Sequence, residues 1–258
     1  MKHSNSLIKP AAKIQKIKDS WKYLIELLQI LMQKAQPGVN LLELEEFTQD
    51  WLDKKGLRGA FKGFQWYPAN LCLSVNDAVV HSIPSDYILK EGDFLKIDMG
   101  IDYQWAISDS AVSVVVGGDE ANPEAARLSK VTKQSLDRGI EVIQPGKKFM
   151  TFSKQVYDYV SSQGFSVIKN LTGHSVGDSI HEPPHIFNFP HKSMNQYVFK
   201  PGMVLALEPI VAQKSDKVIE KPHINNWNLY TQHGDLGAHW EYTILVTDNG
   251  VEILAGLA

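Results

Sequence analysis

The chain is poor in cysteine. Cys72 is the only one among 258 residues, so no disulfide can close within it and a reducing compartment is expected. It also lacks an excess of one charge: 26 Lys and Arg against 29 Asp and Glu give a formal net charge of -3 at pH 7. That leaves no basic footprint for nucleic acid or an anionic membrane. Long apolar runs are missing too. The most hydrophobic helical stretch, LIELLQILM at 24–32, is interrupted by Glu26 and Gln29, well short of the roughly 18 apolar residues of a membrane span. The opening MKHSNSLIKPAAK has no apolar segment of the signal-peptide kind, so a cytoplasmic location is expected. Lys2, Lys9, Lys13, Lys16 and Lys18 read as the solvated start of a helix, a transient ribosome contact being the other reading. What is present is an ordinary globular composition, 43% hydrophobic and 21% charged, enough for one large domain or two small halves sharing a core.

Sliding the sequence along itself lays QPGVNLLELEEFTQDWLDKKGL (36–57) over QPGKKFMTFSKQVYDYVSSQGF (144–165), an offset of 108. Leu44 then falls on Phe152, Trp51 on Tyr159 and Leu52 on Val160, so the apolar face of a helix matches along with its punctuation. Another helical pattern precedes each copy: Tyr23, Leu24, Leu27, Leu28 and Leu31 in the first, Leu128, Val131, Leu136, Ile140 and Ile143 in the second. Two copies at so long a period do not make a solenoid. They predict two similar halves about a pseudo-two-fold axis, with a ligand site between them.

Strand patterns follow each unit. LCLSVN (71–76), FLKIDMG (94–100), DSAVSVVVG (109–117), MVLALEPIV (203–211) and HWEYTILVT (239–247) read as strands, the last turning at DNG into a hairpin. Residues 181–200 carry Pro183, Pro184 and Pro190 and read as an extended functional loop. Long helices with antiparallel strands make the class α+β, and no linker separates independent domains. A single catalytic domain over 1–258 is expected, with a short basic N-terminal extension at about 1–10.

Acidic residues stand where burial should exclude them. Asp98 follows an apolar run, Asp109 opens one, Glu208 interrupts VLALEPIV and Glu241 precedes YTILV. A lone carboxylate in a core costs several kcal/mol or stays protonated. Cations would explain all four together. Asp98 and Asp109 flank a short connection and can converge on paired strands, while His174 comes from a glycine-flanked segment, GHSVG. Four carboxylates and an imidazole are too many for one tetrahedral ion and suit two divalent ions about 3.5 Å apart.

These residues sit in SVNDAVVHSIP, KIDMG, ISDSA, TGHSVGDSIHEPP, LALEPIV and AHWEYTILVTDNG. In that order and spacing they resemble the type I methionine aminopeptidases, of the pita-bread fold shared with creatinase and prolidases. The resemblance runs from about residue 8 to the C-terminus. It implies two pseudo-symmetric halves with antiparallel sheet inside and helices outside. It also implies that Asp98, Asp109, His174, Glu208 and Glu241 are the metal ligands, Asp109 and Glu241 being shared by both ions, with cobalt, manganese, iron or zinc as the metal. A lone histidine near apolar residues is more often a core residue than a catalyst. By resemblance, however, His81 would steady the tetrahedral intermediate and His181 the carbonyl oxygen. Phe61, Phe64, Tyr67, Cys72, Ile180 and Trp227 fall at the positions that line the methionine pocket, with Phe61 and Cys72 also readable as plain core. His3, His185, His191, His223, His233 and His239 match no family position and read as surface or loop residues.

The chain departs from the family pattern at Gly100 and Ser110, where threonines are usual, and at Ser175, where bacterial type I enzymes often have glycine. His181 falls seven residues after His174 and no long insertion separates His174 from Glu208, as in type I enzymes. The expected activity is release of initiator methionine from nascent polypeptides with a small second residue. Glu208 would be the proton shuttle between the attacking water and the leaving amine. No membrane or specific nucleic-acid partner is expected. Two other readings stay open: a Xaa-Pro dipeptidase of the same fold, and a peptide-binding relative that has lost catalysis.

Overall fold

The computed structural model describes residues 7–222 and 224–254; the expectations for Lys2, His3 and His223 lie outside them. Helix α1 (Ala11–Lys34) begins after Pro10, which cannot continue a helix backwards, and buries Leu24, Leu27, Leu28 and Leu31 on one face. Helix α2 (Leu41–Lys55) is capped by Asn40, whose side chain accepts from Leu42 N, and stops at Gly56 in the left-handed region. Helix α3 (Pro123–Glu141) repeats that start with Asn122 as cap and Pro at the first turn. Helix α4 (Met150–Ser162) buries Phe152, Val156 and Val160. Among the described residues no helix is long and apolar enough to cross a membrane.

The strands form antiparallel sheets. In the first, the long hairpin of Phe94–Tyr103 and Ala106–Val115 is flanked by Cys72–Val75 and Arg58–Gly59. In the second, five strands run in the order Gly250–Ile253, Tyr242–Thr247, Val204–Leu207, Gly173–Ser175, Glu182–Ile186. The expected run 203–211 is divided into Val204–Leu207 and Ile210–Ala212. Pro209 has no N–H for a ladder, so the chain breaks there and Glu208 stands in the gap. The expected run 239–247 is divided likewise, Gly237–His239 being separated from Tyr242–Thr247 by Trp240 and Glu241. Part of the expected loop 181–200 is in fact the edge strand Glu182–Ile186. An edge position tolerates Pro183 and Pro184, because one side of the strand has no ladder to complete.

The two helical units repeat in detail. Gly38 and Gly146, and Gly56 and Gly164, are pairs 108 apart and all four have positive φ. Gly38 N donates to Leu89 O and Gly146 N to Phe199 O, while Leu89 N and Phe199 N return to Val39 O and Lys147 O. The strands entered after those contacts also correspond, at an offset of 110: Lys90-Glu91-Gly92 leads to Asp98 as Lys200-Pro201-Gly202 leads to Glu208.

One expectation about the basic start is overturned. Lys9 is not solvated: its side chain is fully buried, with Nζ 2.6 Å from Glu182 Oε2 and 2.9 Å from Asp178 Oδ2. Its N–H donates to Gly202 O, so the segment is strapped to the second half. Lys13 reaches the same Asp178 at 2.6 Å.

Candidate metal centre

Strand register assembles the acidic cluster. In the first hairpin Asp98 pairs with Ala111 and Gly100 with Asp109, so the two aspartates lie diagonally on one face. Gly100 leaves room there, since a Cβ would come within 2.9 Å of Ile180 Cδ1 and 3.0 Å of Ala60 Cβ and push them aside. Glu241 bridges to Ala111 and so brings the second half onto the same face. Two hydroxyls lock the join: Ser110 Oγ donates to Glu241 O at 2.7 Å, and Thr243 Oγ1 donates to Asp109 O at 2.7 Å. His174 pairs with Ala206. Gly173 before it lets the strands approach, since a Cβ there would lie 2.4 Å from Ala206 O.

His174 Nδ1 is 3.1 Å from Ser175 O. A carbonyl only accepts, so Nδ1 carries the hydrogen and Nε2 turns its lone pair inward. Nε2 lies 3.2 Å from Glu208 Oε1 and 3.9 Å from Asp109 Oδ2. One donor atom from each of Asp109, His174 and Glu241 fits within 4.8 Å of the others. Asp98 Oδ1, Asp109 Oδ1 and Glu241 Oε1 are buried without a hydrogen-bond partner.

Burial and mutual repulsion set the electrostatics of the cluster. Burial pushes Asp98 and Glu241 well above the usual carboxylate range, helped by the neighbouring carboxylates, and pushes Asp109 up to about 7. Glu208 goes the other way. Burial opposes its charge, but the imidazoles of His174 and His239, with Nε2 atoms 3.2 and 3.3 Å from its two oxygens, bring it down to about 2. Orphaned buried oxygens, an all-carboxylate and imidazole donor set and the close grouping fit one or more divalent cations.

The same cavity, about 520 Å³, collects every residue named as a candidate. His81 follows strand Ala78–Val80 with φ 59°, a rare left-handed backbone of the kind found at functional sites. His181 stacks edge-on to Phe64 at 5.2 Å and to His174 at 4.5 Å. Phe61, Tyr67, Cys72 and Ile180 form one apolar cluster against which Phe64 and Trp227 pack. Tyr67 meets Trp227 edge to face at 5.1 Å, and its hydroxyl is tied to Leu71 O and Ser82 O.

Among the remaining histidines, His191 and His233 lie outside strands, and His185 is an exposed residue of the edge strand at the cavity rim. His239 corrects the expectation. It is 2% exposed and ends strand Gly237–His239 inside the cavity. The signal was its alternation with Glu241, two residues on and therefore on the same face of an extended chain.

Residues 15–248 match the model of metallopeptidase family M24, and the chain belongs to that family. Within it the similarity is to methionine aminopeptidases. It is 35% identical to the methionine aminopeptidase of Clostridium perfringens, covering 96% of this chain and 98% of that one. The crystal structure of methionine aminopeptidase from Thermotoga maritima superposes with a TM-score of 0.91 at 34% identity, covering 97% and 99% of the two chains. Prolidase from Pyrococcus furiosus shares the fold alone, with a TM-score of 0.78 at 21% identity over 66% of its length. The architecture is thus the pita-bread fold.

Proposed function

We propose that the chain is a metal-dependent aminopeptidase that releases methionine from the N-terminus of polypeptides, preferring a small second residue, and that it acts on newly made chains in the cytoplasm. One observation carries the reading: buried, unsatisfied carboxylates form the floor of a cavity whose wall is an aromatic and apolar pocket. Asp98, Asp109, His174, Glu208 and Glu241 would hold two divalent ions. Such ions supply Lewis-acid polarisation of the scissile carbonyl and acidify water to near neutrality. The donors come from both halves, so residues 1–258 work as one catalytic unit.

The protein's own groups do the rest. Phe61, Phe64, Tyr67, Cys72, Ile180 and Trp227 receive the flexible thioether side chain and exclude water from it. Burial lowers the pKa of His81 to about 4, so at pH 7 its imidazole is neutral and offers one N–H to the oxyanion of the tetrahedral intermediate. His181, whose ring meets those of Phe64 and His174, would hold the substrate carbonyl oxygen. Glu208 is ionised at neutral pH and can accept a proton at its carboxylate and return it to the departing amine.

The discriminating experiment offers Met-Ala-Ser and Ala-Pro peptides to the metal-reconstituted protein. Release of methionine from the first with no cleavage of the second is expected. Preference for Ala-Pro would replace this reading with a Xaa-Pro dipeptidase, and inertness toward both would leave a peptide-binding relative.

A further inference from the structure

His239 has the geometry of a second support for the centre. Its main chain is gripped at both ends by Ser113, whose Oγ accepts from His239 N at 3.0 Å and donates to His239 O at 2.7 Å. The ring is therefore fixed from the first half of the molecule. Nε2 lies 3.3 Å from Glu208 Oε2 and 4.0 Å from Glu241 Oε2. The Glu208 carboxylate thus lies between two imidazoles, His174 at one oxygen and His239 at the other. Both ring nitrogens of His239 are buried without a well-aligned hydrogen-bond partner, but only Nε2 faces a carboxylate, 3.3 Å from Glu208 Oε2, so a hydrogen gains most on that nitrogen.

We infer that His239 is a positioning residue. Its Nε2–H holds Oε2 of Glu208 and fixes the plane of the carboxylate, presenting Oε1 beside His174 Nε2. The inference rests on the proposed role of Glu208 as a metal ligand. It adds that the ligand is oriented by an outer partner, an arrangement whose loss typically weakens metal binding by about 10- to 100-fold.

The test is Co(II) binding, read by calorimetric titration and by the visible spectrum of the bound ion, in His239→Ala, His239→Gln and His239→Asn. Glutamine can place an N–H near the Nε2 position, whereas asparagine is one methylene shorter. The expected result is Co(II) affinity about 10- to 100-fold weaker in His239→Ala and His239→Asn. In His239→Gln it should lie within about threefold of wild type, with the spectrum unchanged. At limiting metal, kcat should fall in the first two variants in step with the weaker Co(II) binding and recover as metal is raised. Should His239→Ala fail to fold, the Gln and Asn variants decide the matter alone. Equal affinity in all variants would overturn the inference. So would a Gln variant as weak as the Asn variant, which would make the imidazole itself a ligand. Glu208→Ala is the control for the underlying reading: unchanged Co(II) affinity there would remove Glu208 from the ligand set, whatever His239 does.

Discussion

Asp98 and Glu208 occupy matching places in the two halves, each at the end of an apolar run entered through a Lys-x-Gly turn, 110 residues apart. Their surroundings are opposite. Asp98 Oδ1 has no donor and the carboxyl is driven well above its ordinary range by burial, whereas Glu208 is held by His174 and His239 and falls to about 2. The repeated scaffold places two carboxylates at equivalent points. Imidazoles present only in the second half then gave one of them a separate character. Symmetry accounts for where the acids are, and its breach for their opposite shifts.

The sharpest way to break the comparison is to neutralise each acid in turn. Glu208→Gln saturated with metal should remain slower than wild type by at least about 10², because an amide has no proton to pass on. Asp98→Asn should recover to within about tenfold once metal is in excess, since only holding is lost. Equal rescue of both, in steady-state rates against metal concentration, would make the two carboxylates equivalent. Next in size, His81→Ala and His181→Ala should each lose about a hundredfold in kcat and keep their metal, as when one transition-state donor is removed. Metal loss on dialysis would show either one to be a ligand.

A third prediction concerns stability without metal. Asp98, Asp109 and Glu241 have folded-state pKa values above their unfolded ones, so the native state binds more protons and stability falls as pH rises through those values. His81 and His181, lowered to about 4 by burial, act in the opposite sense, but only below the unfolded value of 6.5. From pH 6.5 upward through about 7, Tm in chelator should therefore drop, by several degrees. Calorimetry showing a rising Tm across that range would refute the cluster's electrostatics. The smallest effect is on the apolar wall. Trp227→Ala should raise KM for methionyl peptides about tenfold with kcat and metal content unchanged. An unaltered preference for Met over Ala would make Trp227 plain core.

Much of this was legible because the acids break a rule of burial that the sequence displays. Asp98, Asp109, Glu208 and Glu241 stand out against apolar neighbours in one dimension as they do in three. His239 was less legible, since its strand is three residues long and stops before Trp240, so that only the spacing of two from Glu241 ties it to the acidic face. The strand at 182–186 was hidden by its prolines, which matter less at an edge. The correspondence of Asp98 with Glu208 escaped because the second half has two extra residues between helix and strand, so the offset of 108 that aligns the helices misaligns the strands. Lys9 was read with its basic neighbours, because an ion-pair partner 173 residues away leaves no local trace.

That separation bears on the order in which the molecule can be completed during synthesis. At about 5 to 20 residues per second, the ribosome takes roughly 9 to 35 s to travel from Lys9 to Glu182. Until then the ammonium has no acceptor in the interior, and burying it alone would cost several kcal/mol, so the segment before α1 stays in water. Glu182 in turn accepts from Asp178 N and Ser179 N and is adjacent to His181, so the loop bearing that histidine gains its tie to the start of the chain only when Lys9 docks. A contact of such long range closes late. A half-made copy of this peptidase would thus hold its first two aspartates on a hairpin and remain inert toward the chains emerging around it.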